Sequence, residues 1–151
     1  MPSVHGYPTA SFKAGTGCNT STAIYKAVYL SGDNEVAICN TITNYGAFIG
    51  VTQDYVDATG QDIPVAIGGA TKAILKGASI TAGNLVGIAV GTSTALGHVA
   101  PHAVKSGDTP TAGAMFILGK CVVGSQGGTD TVCEVLLNPY LATVLTTTLA
   151  T

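Results

Sequence analysis

The side chains in this 151-residue chain whose types could do chemistry are few, and their spacing argues against each chemistry in turn. His98 and His102 stand four apart, the spacing that places two imidazoles on one helix face in HExxH zinc sites. Pro101 lies between them and Gly97 precedes them, so a helix is disfavoured there. Val99 also occupies the place where that motif carries its glutamate base. Solvated loop histidines are the expectation, and His5 has no partner in sequence. Ser106 and Ser125 sit in Gly-rich turns, not in a GxSxG elbow. Gly68-Gly69-Ala70-Thr71-Lys72 lacks the GxxxxGK[ST] spacing of a phosphate loop, and Gly15-Thr16-Gly17-Cys18 does not extend to GxGxxG. Asp54, Asp57 and Asp62 gather around one turn without the DxDxDG framework and closing glutamate of a calcium loop, so they read as a solvated helix–turn face. The expectation is a chain that is not an enzyme, with no catalytic residue, no metal site and no cofactor.

Composition points the same way. Charged residues make up 9% of the chain against roughly 25% in typical soluble domains, and the formal net charge is −2. A nearly neutral surface repels its own copies weakly, so self-association is expected. All six basic residues are lysines, and arginine is the preferred residue for bidentate phosphate and base contacts, so no nucleic-acid partner is expected. Cys18, Cys39, Cys121 and Cys133 form no CxxC pair. The start Met1-Pro2-Ser3-Val4-His5-Gly6 lacks a basic and an apolar signal region, so folding in a reducing cytosol with free, buried thiols is expected. No apolar run approaches the roughly 18 residues that span a bilayer, and no membrane partner is expected.

What must position any functional side chain is a turn-and-strand pattern written twice. The first copy runs Ser31-Gly32-Asp33-Asn34 into Glu35-Val36-Ala37-Ile38, then Ile49-Gly50-Val51, then Gly60 and Ile63-Pro64-Val65-Ala66-Ile67. The second runs Ala82-Gly83-Asn84 into Leu85-Val86-Gly87-Ile88, then Leu118-Gly119-Lys120, then Gly127-Gly128 and Val132-Cys133-Glu134-Val135-Leu136-Leu137. Short segments rich in Val, Ile, Thr and Tyr between Gly, Pro, Asn and Asp turns predict a mainly β chain. The expected fold is a single small β-barrel-like or β-sandwich-like domain of about eight short strands, 24–30, 36–41, 47–51, 63–67, 73–76, 85–90, 115–123 and 131–137. At most one or two short helices are expected, one of them at Gln53 to Ala58 with Thr52 as cap and Gly60 as stop. Several strands are apolar on both faces, which requires cover on the outer side as well as the inner. Residues 1–22 read as an extended N-terminal arm, 23–137 as the barrel-like domain with an insertion loop at 91–112, and 138–151 as a Thr-rich C-terminal tail. Tyr7, Phe12 and Tyr140 are the candidate interface anchors, since aromatic side chains supply large contact area at low entropy cost.

Two resemblances follow from these segments. Thr71-Lys72-Ala73-Ile74-Leu75-Lys76-Gly77 and Ile80 to Val86 resemble the hairpin lysine and valine–glycine cadence of biotinyl or lipoyl carrier domains, without their Met-Lys-Met or Asp-Lys-Ala context. From Gly32 to Leu137 the resemblance is to the tailed-phage capsid decoration, or head-cement, proteins. It is carried by Phe48-Ile49-Gly50-Val51-Thr52, Ala58-Thr59-Gly60-Gln61-Asp62-Ile63-Pro64-Val65, Ile80-Thr81-Ala82-Gly83-Asn84-Leu85-Val86, Ile117-Leu118-Gly119-Lys120 and Val135-Leu136-Leu137-Asn138. This resemblance implies a structural protein that binds the outside of a phage head where major capsid proteins meet and stabilises the shell. It also implies a homotrimer, made in the host cytoplasm and carried on the virion exterior. A phage fibre or tail module, or a cell-surface β-module, would share the same composition.

Overall fold

The computed structural model describes residues 8–39, 47–76, 79–88, 97–102, 114–125 and 129–143. The strands are β1 (Thr9–Ala14), β2 (Ala27–Gly32), β3 (Glu35–Ile38), β4 (Phe48–Thr52), β5 (Asp62–Ala66), β6 (Gly69–Lys76), β7 (Leu85–Ile88), β8 (Val99–His102), β9 (Ala114–Val123) and β10 (Thr129–Thr143). A 3-10 turn, Ser21–Ala23, separates β1 from β2. The mainly β expectation holds, with ten strands among the described residues in place of about eight. They close into two barrels ordered β1-β3-β2-β4-β5 and β10-β6-β8-β7-β9.

The second barrel repeats the first strand for strand, and the registers prove it. The parallel pair Ala14↔Val36 between β1 and β3 recurs as Leu75↔Val99 between β6 and β8. Val28↔Gly50 between β2 and β4 recurs as Val86↔Gly119 between β7 and β9. Val51↔Ala66 and Thr52↔Val65 between β4 and β5 recur as Lys120↔Leu136 and Cys121↔Val135 between β9 and β10. Two of the three segments matched in the sequence pattern are therefore equivalent in space. The first match is displaced by one strand: the Ser31-Gly32 turn opens β3, whereas Ala82-Gly83-Asn84 leads into β7, the counterpart of β2.

Both unexpected strands lie where no barrel strand was expected. Residues 9–22 are not a detached arm: β1 pairs along its length with β5, and Ala14 and Cys18 are fully buried. Its sequence Thr-Ala-Ser-Phe-Lys-Ala has one large apolar residue, and its burial comes from partners on either side. Residues 99–102 of the expected insertion loop form β8. Pro101 is tolerated there because it lies beyond Leu75↔Val99, the registered pair that joins β8 to β6. The expected tail likewise begins as strand, since β10 continues to Thr143 opposite Ala114.

The helix expected at Gln53 to Ala58 is absent, and side chains explain why. Thr52 does not cap: its hydroxyl accepts from the Lys26 amide at 2.9 Å and donates to the Ala23 carbonyl. The Gln61 side-chain oxygen accepts from the Asp57 and Ala58 amides, meeting locally the donors a helix would satisfy.

Packing follows the two-residue period of the strands. Val28, Ile38 and Val65 point into barrel one with Ala14, Cys18, Val36 and Ile63. Their sequence neighbours Ala27, Cys39 and Ala66, together with Val51, point outward into the cluster that fills barrel two, with Leu75, Val86, Val99, Leu118 and Val135. Strands apolar on both faces are thus accounted for: barrel two covers the outer wall of barrel one.

Gly50 and Gly119 occupy equivalent positions on β4 and β9. A Cβ at Gly50 would collide with the Ala66 carbonyl oxygen, and one at Gly119 with that of Leu136, so each glycine lets a fourth strand close on a fifth. Gly50→Ala and Gly119→Ala should each cost about 1–3 kcal/mol in denaturant unfolding. Gly32→Ala, whose Cβ would meet nothing closer than 3.8 Å, should stay within about 0.5 kcal/mol. Equal losses at all three positions would refute the close-approach account.

Candidate interaction surface

The seam between the barrels carries polar contacts. The chain entering β8 lies against barrel one, with the Ala27 amide donating to the Gly97 carbonyl at 2.8 Å and the Gly97 amide to the Cys39 carbonyl at 2.8 Å. Gly97 adopts φ 69°, and a Cβ there would press on Lys26 Cβ at 2.8 Å, so a glycine is needed for this approach. Lys26 Nζ lies 3.0 Å from Nδ1 and 3.1 Å from Nε2 of His98, and both side chains are buried. His98 is therefore a seam residue and not a solvated loop histidine. His102 falls at the far end of β8 opposite Leu85, and four extended residues separate the two histidines by roughly 13 Å of strand. Gln53 Nε2 donates to Thr71 Oγ1 at 2.8 Å, and the Ile74 amide to the Tyr25 carbonyl at 3.0 Å, adding further ties between the barrels.

The candidate anchors are not brought together. Phe12 sits on β1, half-buried against the interior of barrel one, while Tyr140 lies on β10 opposite Ile117 in barrel two. Tyr7 lies outside the described residues. Of the three acids near one turn, Asp54 and Asp57 lie exposed in the β4–β5 connection, and Asp62 pairs with Lys13 at 2.8 Å on an exposed edge, where an ion pair contributes little.

A surface that the sequence reading missed emerges from a position-by-position match of the two barrels. In barrel one, Ala27, Val51 and Ala66 line the outer wall and are all 0% exposed beneath barrel two. Their equivalents in barrel two are Leu85, half-buried, Lys120, exposed, and Leu136, 47% exposed. Val122, Val123 and Val132 add further exposed apolar area on β9 and β10, with Glu134 and Lys72 paired across the adjoining β10–β6 ladder. The corresponding β1–β5 face of barrel one carries Thr9, Ser11, Lys13, Asp62 and Pro64 instead. One topology thus yields a polar face in the first copy and an apolar one in the second, so the apolar wall is a property of the sequence and not a requirement of the barrel. The signal is present in the chain: Ile49-Gly50-Val51 matches Leu118-Gly119-Lys120, with a lysine at the position that is buried in the first copy.

No family model matches the chain, and no curated protein matches it. Among solved structures it is similar to the N base of the head fiber gp8.5 in bacteriophage phi29, with a TM-score of 0.52 and 20% identity over 87% of this chain and 95% of that chain. At this identity the likeness is one of fold.

All four cysteines are free and buried. Desolvation raises the thiols of Cys39 and Cys133 to about 12 and that of Cys18 to about 11, and it also raises Cys121. Raised folded values mean that the native state holds these protons more tightly than the unfolded chain. Their stabilising contribution is complete below the unfolded value of 9.0 and is lost as pH rises towards 11 and 12. The midpoint of thermal unfolding should accordingly fall above pH 9. At pH 8 a thiol reagent should label none of the four in the native protein and all of them in denaturant. Rapid native labelling would contradict this burial.

Proposed function

We propose that the chain is a structural protein of a tailed-phage head, held on the outer surface of the shell where major capsid proteins meet, and that it acts by binding alone. The observation that carries this reading is the paired-barrel fold, shared over 95% of the chain of a phage head fiber base, combined with an apolar wall left exposed on barrel two. The resemblance of residues 32–137 to head-cement proteins supports the same placement. The protein is a non-enzymatic homotrimer with no cofactor, made and folded in the host cytoplasm, and its partners are the major capsid protein and its own copies, not nucleic acid or membrane. Several weak contacts made at once by a rigid multimer act as intramolecular ones, and this avidity strengthens a shell without any single tight contact.

A second reading, the base of a head fibre, is favoured by the structural neighbour, which is itself a head fiber base. The two differ in what the shell gains. A cement protein added to empty heads saturates every equivalent junction and raises the temperature at which heads disrupt, whereas a fibre base occupies its sites without changing that temperature. Purified protein should therefore add stoichiometrically to empty heads of the parent phage and protect them from heat. Removing residues 1–7, which precede β1 and include Tyr7, should lower occupancy several-fold while the barrels stay folded. Failure of the intact protein to add to heads would overturn the proposal.

A further inference from the structure

The duplication supplies a template for how two copies meet. Within one chain, the outer wall of barrel one, Ala27–Val51–Ala66, is covered by the β6 and β8 side of barrel two, where Gly97 and His98 sit. Barrel two has the same wall at Leu85–Lys120–Leu136, and there it is uncovered. Barrel one in turn has the same covering side: β1 and β3 correspond to β6 and β8, and the parallel register places Asn34 and Glu35 where Gly97 and His98 stand. Asn34 shares the left-handed backbone of Gly97, with φ 56° against 69°.

Charge makes the match between unlike barrels specific. Residues 8–67 hold five carboxylates and two lysines, a balance of −3; residues 69–143 hold four lysines and three carboxylates, a balance of +1. Asp33 and Glu35 lie on the covering side of barrel one beside the Lys13–Asp62 ion pair, and Lys120 lies in the wall of barrel two, in the place of the buried Val51. A wall facing an identical wall would bring two Lys120 side chains together, and a covering side facing its own copy would oppose carboxylates.

We infer that the Leu85–Lys120–Leu136 wall of barrel two receives the Asp33–Glu35 side of barrel one from a second copy of this chain, in the arrangement that barrel two takes on barrel one within the chain. The contact is heterologous, one face meeting a different face, so it propagates head to tail, and in the proposed homotrimer it closes into a ring. Three copies place six barrels in that ring. This deepens the proposed homotrimer by naming its interface, and it rests on the head-surface reading only for the copy number.

Leu136 and Lys120 are exposed, so substituting them leaves the barrel interior intact. The wild-type protein should sediment as three chains. Leu136→Glu, which disables the wall, and the pair Asp33→Lys with Glu35→Lys, which disables the covering side, should each sediment as single chains that melt like the wild type. Mixed one to one, they should form a two-chain species, because one intact wall meets one intact covering side. In a separate chain, Lys120→Glu should weaken assembly at least tenfold, and adding Asp33→Lys with Glu35→Lys to that chain should restore it by reversing the charge of both faces. A monomeric wild type overturns the inference and assigns the wall to another occupant, as does a fully assembled Leu136→Glu variant. Assembly of the Asp33→Lys, Glu35→Lys variant by itself would show wall meeting wall and overturn it too. Head addition is scored separately, so loss of the ring with retained head binding rejects this interface without rejecting the head-surface function.

Discussion

The two-sided apolar strand is the constraint on which the architecture rests. A strand that alternates apolar and polar residues needs cover on one face; Ala27-Val28, Ile38-Cys39 and Val65-Ala66 need it on both. Closing five strands into a barrel satisfies the inner set and abolishes the sheet edges, but it leaves the outer set facing water. A second barrel resolves this. Its filling cluster is continuous with the outer residues of the first, so the two barrels are one packed unit and not beads on a chain.

That arrangement accounts for the polar seam. Where the barrels pack together, backbone amides and carbonyls are buried, and these find partners across the junction: Ala27 with Gly97, Gly97 with Cys39, Ile74 with Tyr25. Lys26 and His98 add a side-chain contact at the same place, a buried amine beside an imidazole that joins the first barrel to the second. An apolar junction would bury the same area with less directional preference; the polar contacts define how one barrel sits on the other.

Duplication then has a physical consequence for function. The residues that solve the cover problem in barrel one have counterparts in barrel two that lie on an open wall, and those counterparts are not uniformly polar. Ala66 is replaced by the larger Leu136 and Ala27 by Leu85, which enlarge the apolar wall, while Val51 is replaced by Lys120, which gives it a sign. A chain with 9% charged residues has few such marks to distribute, so a lysine on an otherwise apolar wall does much to set which surfaces complement it.

By itself the sequence determined the mainly β class, most strand positions and the existence of a repeat, because these depend on local periodicity and on glycine turns. It did not disclose β1 and β8, since Thr9–Ala14 and Val99–His102 are weak strands in isolation and become strands through neighbours on either side. Nor did it disclose that the repeat closes into two barrels rather than one, that Thr52 and Gln61 displace a helix, or that His98 meets Lys26 across 72 residues of sequence. Those features arise from contacts between segments remote in sequence. Tertiary structure decided them because burial and hydrogen-bond partners are set by what packs alongside, which local composition does not specify.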